Sequence, residues 1–339
     1  MADWFWLILA LVASIILTGA VRSYAVKRSL IDIPNARSSH HTPTPRGGGL
    51  GLVAVFLLMM FGLFWFNRVP DDLFIALAGS GLLIAGIGYW DDHRHIPAQW
   101  RILVHLLAAV WVVAWLGGIG SVPFGSLWLP LGWIGDVLTV FFLVWLLNLF
   151  NFMDGIDGIA ASEAVFAASS AAGLLLLVDP GRAPAALWLL LLAAAVLGFL
   201  LWNWPPARIF MGDVGSGFLG MMLGLLALYT SDERGLNLWV WLILLGLFIV
   251  DATWTLLRRV AAGERWHEAH CSHAYQRLAR RWQSHKNVTL AAWSVNLLWL
   301  LPLALLAAKR PQIGVFCLVV AYLPLLFLAY RLGAGRAER

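Results

Sequence analysis

Cysteine and charge are both scarce in this chain. Two cysteines in 339 residues, Cys271 in a polar segment and Cys317 in an apolar one, exclude a disulfide framework. Charged residues make up 12% and hydrophobic ones 61%, which excludes an ordinary soluble globular domain. No low-complexity linker and no internal repeat divides the chain. No basic segment precedes the first apolar run, which carries Asp3 and ends without a small-residue cleavage site before Arg22, so a cleavable signal peptide is not expected. No G-K-[ST] follows a glycine loop, which argues against a Walker-type nucleotide site, and H267-E-A-H270 brings its second histidine too early for the zinc-protease motif. The spacing of His267, His270, Cys271 and His273 fits no standard zinc site.

What is present is long apolar runs. A run of about 20 residues crosses a bilayer as a helix, and lipid favours helices because it cannot satisfy open backbone groups. Eleven spans are expected, near 4–21, 47–66, 72–90, 102–119, 136–151, 159–178, 184–202, 214–230, 236–257, 288–308 and 311–331. The expected fold is therefore an all-α integral membrane protein, one polytopic domain over 1–339. With Met1 outside, 18 of the 23 Lys and Arg residues fall on inside segments. That bias puts the N-terminus on the periplasmic side and the C-terminus in the cytoplasm. Topology and anionic headgroups account for the net charge of +5, and no nucleic-acid partner is expected. The same count gathers every polar motif on the cytoplasmic side, in segments 22–47, 91–101, 151–160, 203–214 and 258–287.

Those motifs contain the chemistry. Asn148, Asn151, Asp154 and Asp157 recur every third residue, and Gly155 and Gly158 let the backbone approach a ligand. The spacing and the missing terminal Glu exclude an EF-hand. F210-M-G-D213-V-G-S216 opens a helix whose free N–H groups suit phosphate. A carboxylate such as Asp213 beside a phosphate calls for a cation between them, and Mg²⁺ binds through one or two carboxylates plus phosphate oxygens. Asp91 and Asp92 end the third span; alone, the pair also fits ordinary capping. Arg37, His40 and Arg46, in a Pro- and Gly-rich loop, suit phosphate contact. His270 and His273 suit a polar substrate, and Asp251 lies within the ninth span, where an ionisable residue is a functional candidate.

Together these motifs resemble the polyprenyl-phosphate N-acetylhexosamine-1-phosphate transferase family. The matching elements are P34-N35-x-R37-x-x-H40, D91-D92 with R101, N148-x-x-N151-x-x-D154-G-x-D157-G, I209-F-M-G-D213-x-G-S216, and D251 followed by R258-R259. The resemblance implies a bacterial inner-membrane enzyme with a cytoplasmic active site. Such an enzyme moves a sugar 1-phosphate from a UDP-N-acetyl sugar to undecaprenyl phosphate and releases UMP. It implies Mg²⁺, with Mn²⁺ as a substitute, on Asp213 and Asp154. Asp91, Asp92, Asp154 and Asp157 are the implied catalytic carboxylates. Asn148, Asn151, Arg37, His40, Arg46, Asp251, His270, His273 and Arg277 are the implied substrate contacts, and a homodimer is left open. Two positions depart from the family pattern. H273-A-Y-Q276-R277-L keeps one histidine of a usual H-x-H-H-R-L, and His105 stands where many members have Gln. The first departure points to the O-antigen branch and sugars such as FucNAc or QuiNAc, rather than to the phospho-MurNAc-pentapeptide translocase. A transporter would place its ionisable groups nearer the midplane, and an intramembrane aspartyl protease would need two aspartates deep in facing helices.

Overall fold

The computed structural model describes residues 2–34, 42–94, 96–231, 235–264 and 271–336. Helices dominate: α1 Asp3–Lys27, α2 Gly49–Trp65, α3 Asp71–His93, α4 Ala98–Leu116, α5 Trp133–Met153, α6 Ile159–Val178, α7 Ala183–Asn203, α8 Asp213–Thr230, α9 Leu238–Leu244, α10 Gly246–Ala261, α11 Ala274–Trp282, α12 His285–Val295, α13 Leu301–Lys309 and α14 Gly314–Arg331. Two short antiparallel ribbons complete it, β1 Ile31–Asp32 with β2 Thr44–Pro45 and β3 Ser121–Phe124 with β4 Leu127–Pro130. The chain is an all-α integral membrane protein.

Among the described residues nine helical stretches are long and apolar enough to cross a membrane, or ten if α9 and α10 form one span. α2, with 17 residues, is shorter. The ninth expected span is not the single helix that its apolar run suggests: α9 and α10 meet at 76°. A break in an apolar span strands carbonyl oxygens, which lipid cannot satisfy. Here the Tyr322 hydroxyl of α14 donates to the Leu242 carbonyl at 2.8 Å.

Burial ranks the helices. The apolar core of α8 is 83% buried, that of α7 72% and of α6 67%, against 22% for α1 and α4, so α6, α7 and α8 lie inside while α1 and α4 lie at the periphery. Small residues let neighbours come close where burial of apolar surface supplies no drive. At Gly220 a Cβ would sit 2.6 Å from the Leu146 carbonyl of α5. The α12–α13 span is interrupted by a π-helical turn, Asn296–Leu300. There the Asn296 amide donates to buried Glu163 of α6 at 2.6 Å. Glu163 is an intramembrane carboxyl that the motif reading passes over.

Candidate active site

Five segments far apart in sequence meet at one end of the bundle. The loop before α2 pairs with the loop before α8 by backbone hydrogen bonds: Phe210 N–H to Pro45 O (2.8 Å), Gly48 N–H to Phe210 O (2.9 Å) and Gly49 N–H to Met211 O (2.9 Å). α5 ends at Met153, and the connector to α6 turns through Gly158, whose N–H donates to Asn203 Oδ1 at 2.9 Å. α11 is tied to the end of α5 by the Tyr275 hydroxyl, which donates to Phe152 O at 2.9 Å.

Between these segments lies a cavity of about 320 Å³. Of the expected site residues, Asp91, Asn148, Asn151, Asp213 and His273 line it, together with Arg101, His105 and Gln276. Arg101 holds two carboxylates at once, with Nη1 at 2.9 Å from Asp91 Oδ2 and 3.4 Å from Asp213 Oδ2. Asn148 turns its amide back to the Val144 carbonyl at 2.7 Å, which leaves its carbonyl end for the cavity side. Gln276 accepts from the His273 backbone N–H at 3.2 Å, and the His273 ring lies near-parallel to those of Phe152 and Tyr275, with centroids 6.3 and 5.7 Å away.

Other expected residues have different work. Asp92 does not line the cavity: its side chain is 2% exposed and accepts from the N–H groups of Asp213 (3.0 Å) and Val214 (3.2 Å). It thus caps α8 from another helix, and the free amides expected there for a phosphate are already used. Gly212, with φ +77°, makes this fit, since a Cβ would meet the Asp92 carboxylate at 2.5 Å. Arg46 is paired to Asp92 at 2.5 Å. Burial works against its charge, but Asp92, with Asp213 and Asp32, outweighs burial and holds the guanidinium above its ordinary pKa.

Asp157 also lies off the cavity. It accepts from the Ala207 N–H at 3.0 Å and faces His285 at 3.3 Å. Asp251 accepts from the N–H groups of Ala274 (2.9 Å) and Tyr275 (3.0 Å), from the Thr255 hydroxyl (3.1 Å), and lies 3.4 Å from His273 Nδ1. It therefore caps α11 and borders a separate apolar cavity of about 90 Å³. Arg277 points the other way and donates to the Arg336 carbonyl. Arg37, His40 and His270 lie outside the described residues.

Asp154 directly follows α5 and is not among the residues lining the cavity. Burial pushes its carboxyl well above the ordinary carboxylate range, and the charges of Asp213, Asp92 and Asp157 push it further against Arg46. Three acids and one arginine, Arg46, act on it, so its surroundings hold more negative than positive charge. Arg101, His105 and Gln276 were not among the expected contacts. Arg101 stood in the matched motif, and spacing could have found His105, one helical turn beyond it on α4.

The glycosyl transferase family 4 model matches residues 74–231, which span α3 to α8 and most of this cavity. A Bacillus subtilis (strain 168) protein named probable undecaprenyl-phosphate N-acetylglucosaminyl 1-phosphate transferase is 30% identical over 320 residues, covering 92% of this chain and 87% of its own length. This chain belongs to the polyprenyl-phosphate hexosamine-1-phosphate transferase family. The decaprenyl-phosphate N-acetylglucosaminephosphotransferase of Mycobacterium tuberculosis (strain ATCC 25618 / H37Rv) is 30% identical, covering 80% of this chain and 74% of its own. A phospho-N-acetylmuramoyl-pentapeptide-transferase of Gloeothece citriformis (strain PCC 7424) is also 30% identical, over 62% of this chain and 58% of its own.

Proposed function

We propose that this family member transfers a sugar 1-phosphate from a UDP-sugar to undecaprenyl phosphate at the cytoplasmic face of the bacterial inner membrane. The observation that carries this is one cavity holding Asp91, Arg101 and Asp213 beside Asn148, Asn151 and His273. Acids and a cation suit phosphoryl transfer, and neutral donors suit a sugar or base. An oxygen of the lipid phosphate attacks the β-phosphorus of the donor. A new P–O bond forms, the bond to the α-phosphate oxygen breaks, and UMP leaves with that electron pair. The C1–O bond of the sugar is untouched, so its anomeric configuration is retained. Asp91, the member of the acidic pair that faces the cavity, positions the lipid phosphate and takes any proton it carries.

Mg²⁺ fits the donor set. Among the described residues no three His, Cys, Asp or Glu side chains form a ready-made metal cage. Mg²⁺ asks for less, one or two carboxylate oxygens and the phosphates of a substrate. Asp213 and Asp154 would hold it, where acids exceed cations. Bound there, it neutralises charge on the diphosphate.

The donor sugar is an N-acetylhexosamine. N-acetylglucosamine is favoured by the names of the Bacillus and Mycobacterium relatives. Tyr275 and Gln276, standing where the family pattern has histidine, favour instead a 6-deoxy sugar such as FucNAc or QuiNAc and a role in starting O-antigen synthesis. The test uses full-length protein in detergent with undecaprenyl phosphate, Mg²⁺ and a panel of UDP-N-acetyl sugars. UMP release that needs both lipid and metal, and is lost in Asp213→Asn, is expected. Folded protein that releases no UMP from any donor, or an Asp213→Asn variant with full Mg²⁺-dependent activity, would sink the proposal.

A further inference from the structure

Arg46, Arg68, Arg101, Arg182 and Arg259 each pair with a carboxylate. Arg22 and Arg208 pair with none among the described residues, yet the fold holds them together where α1 meets the end of α7. Trp202 is the reason. Its indole N–H donates to the Ile15 carbonyl of α1 at 3.0 Å, and its ring rests on Gly19, where a Cβ would come within 2.9 Å of it. The Arg208 N–H donates back to the Trp202 carbonyl at 2.8 Å. Arg22 Nε donates to the Arg208 carbonyl at 3.2 Å. Both guanidinium carbons therefore stand beside the same ring, each 5.9 Å from its centroid. An indole attracts a cation but carries no net charge, so two like charges are fixed side by side without a counter-charge. Arg208 is exposed and Arg22 half-buried, so both are open to a ligand from outside the bundle.

We propose that Arg22, Arg208 and Trp202 form a seat for the phosphodiester of an anionic phospholipid. The seat lies on the outer wall of the bundle and is separate from the candidate active site, whose cavity none of the three residues lines. It is at the same end, since Arg208 lies two residues before Phe210, which pairs with the loop before α2. Guanidinium groups bind phosphate oxygens in pairs, and Arg22 keeps both Nη groups for this once Nε is used. The surroundings select the source of the phosphate. Tryptophan marks the headgroup level of a bilayer. Ile16, one turn from Gly19 towards the middle of α1, is 66% exposed, and Leu201 of α7 is 57% exposed. A phospholipid whose chains cover Ile16 and Leu201 carries its phosphate at the level of the ring. Inorganic phosphate gains no apolar contact there, and phosphatidylcholine brings its own cation against the two arginines. No covalent bond changes.

The test uses full-length protein in a neutral detergent, without UDP-sugar, so it stands or falls apart from the transferase reading. Phosphatidylglycerol, phosphatidylcholine with the same chains, farnesyl phosphate and inorganic phosphate are titrated, with bound lipid counted by native mass spectrometry and the thermal midpoint followed alongside. Phosphatidylglycerol is expected to bind at least about fivefold more tightly than phosphatidylcholine. Arg22→Gln and Arg208→Gln should each weaken it by about fivefold, and the double variant by more. Arg28→Gln, which removes an exposed cation stacked on Tyr24 instead, should stay within about twofold of the parent. The two single variants decide the matter if the double variant fails to fold. Equal phosphatidylglycerol binding by the parent and the Arg22 and Arg208 variants overturns the proposal. A loss in Arg28→Gln as large as theirs overturns it too, because surface charge at large would then explain the binding. Inorganic phosphate as effective as phosphatidylglycerol overturns the lipid assignment. Farnesyl phosphate binding more tightly than phosphatidylglycerol, and lost in the same variants, overturns the phospholipid assignment in favour of a polyprenyl phosphate.

Discussion

Asp92 on α3 and Asp251 on α10 make the same contact in two places. Each lends its carboxylate to two backbone N–H groups at the start of another helix, α8 and α11 respectively. They differ in what else they hold. Asp92 also binds the Arg46 guanidinium, so it joins three parts of the chain, and its neighbour Asp91 is left facing the cavity. Asp251 holds the Thr255 hydroxyl and faces the His273 ring, so it sets a small helix and one cavity side chain. A buried carboxylate near an active site therefore need not touch substrate. Helix N-termini that point inward need an acceptor, and a neighbouring helix can supply it.

The largest expected effect separates Asp92 from Asp91. Asp92→Ala strands two amides and a guanidinium and should cost about 3 kcal/mol of stability, read as a lower thermal midpoint in detergent. Asp91→Asn should lose about a hundredfold in UMP release while stability moves by less than about 1 kcal/mol. If the two variants traded these effects, the division of labour between them would be wrong.

Next in size is Asp251→Ala, expected to cost about 2 kcal/mol. The loss should be local, seen as faster hydrogen exchange in 274–282 with α8 unaffected. Exchange that rises equally in α8 would erase the difference between the two caps.

A third effect concerns Asp154. Its raised pKa means that, between the ordinary carboxylate value and the raised one, the folded chain keeps a proton that the unfolded chain has lost. Stability of the metal-free protein therefore falls as pH rises through that window. Mg²⁺ binding runs the other way and strengthens as pH rises, because metal and proton compete for the carboxylate. Asp154→Asn should flatten the thermal midpoint against pH and weaken the pH dependence of Mg²⁺ binding. An unchanged midpoint profile in that variant would assign the raised pKa no part in stability.

The smallest effect is expected at Arg277, which donates to the Arg336 carbonyl on the outer side of α11. Arg277→Ala should change stability by less than about 0.5 kcal/mol. A loss as large as that at Asp251 would show that the outer face of α11 matters as much as its cap.

The membrane class, the approximate number of spans and the gathering of motifs were legible because apolar runs and their polar ends are local features. The Asn148–Asn151 stripe was legible too, since both residues precede the end of α5 and share its helical face. Extending that stripe to Asp154 and Asp157 failed because the helix stops at Met153, and the connector sends Asp157 to Ala207 and His285. The bend between α9 and α10 falls at Gly246, and one glycine in an apolar run does not announce a break; there Tyr322 of a distant helix donates to the Leu242 carbonyl.

The sequence by itself determined the solvent of this protein and its chemical inventory, because hydropathy and residue type act locally. Only the tertiary structure decided which of two adjacent aspartates faces the cavity and which carboxylates cap helices instead. Those outcomes depend on where the N-termini of other helices fall, and backbone amides look alike at every position in a sequence.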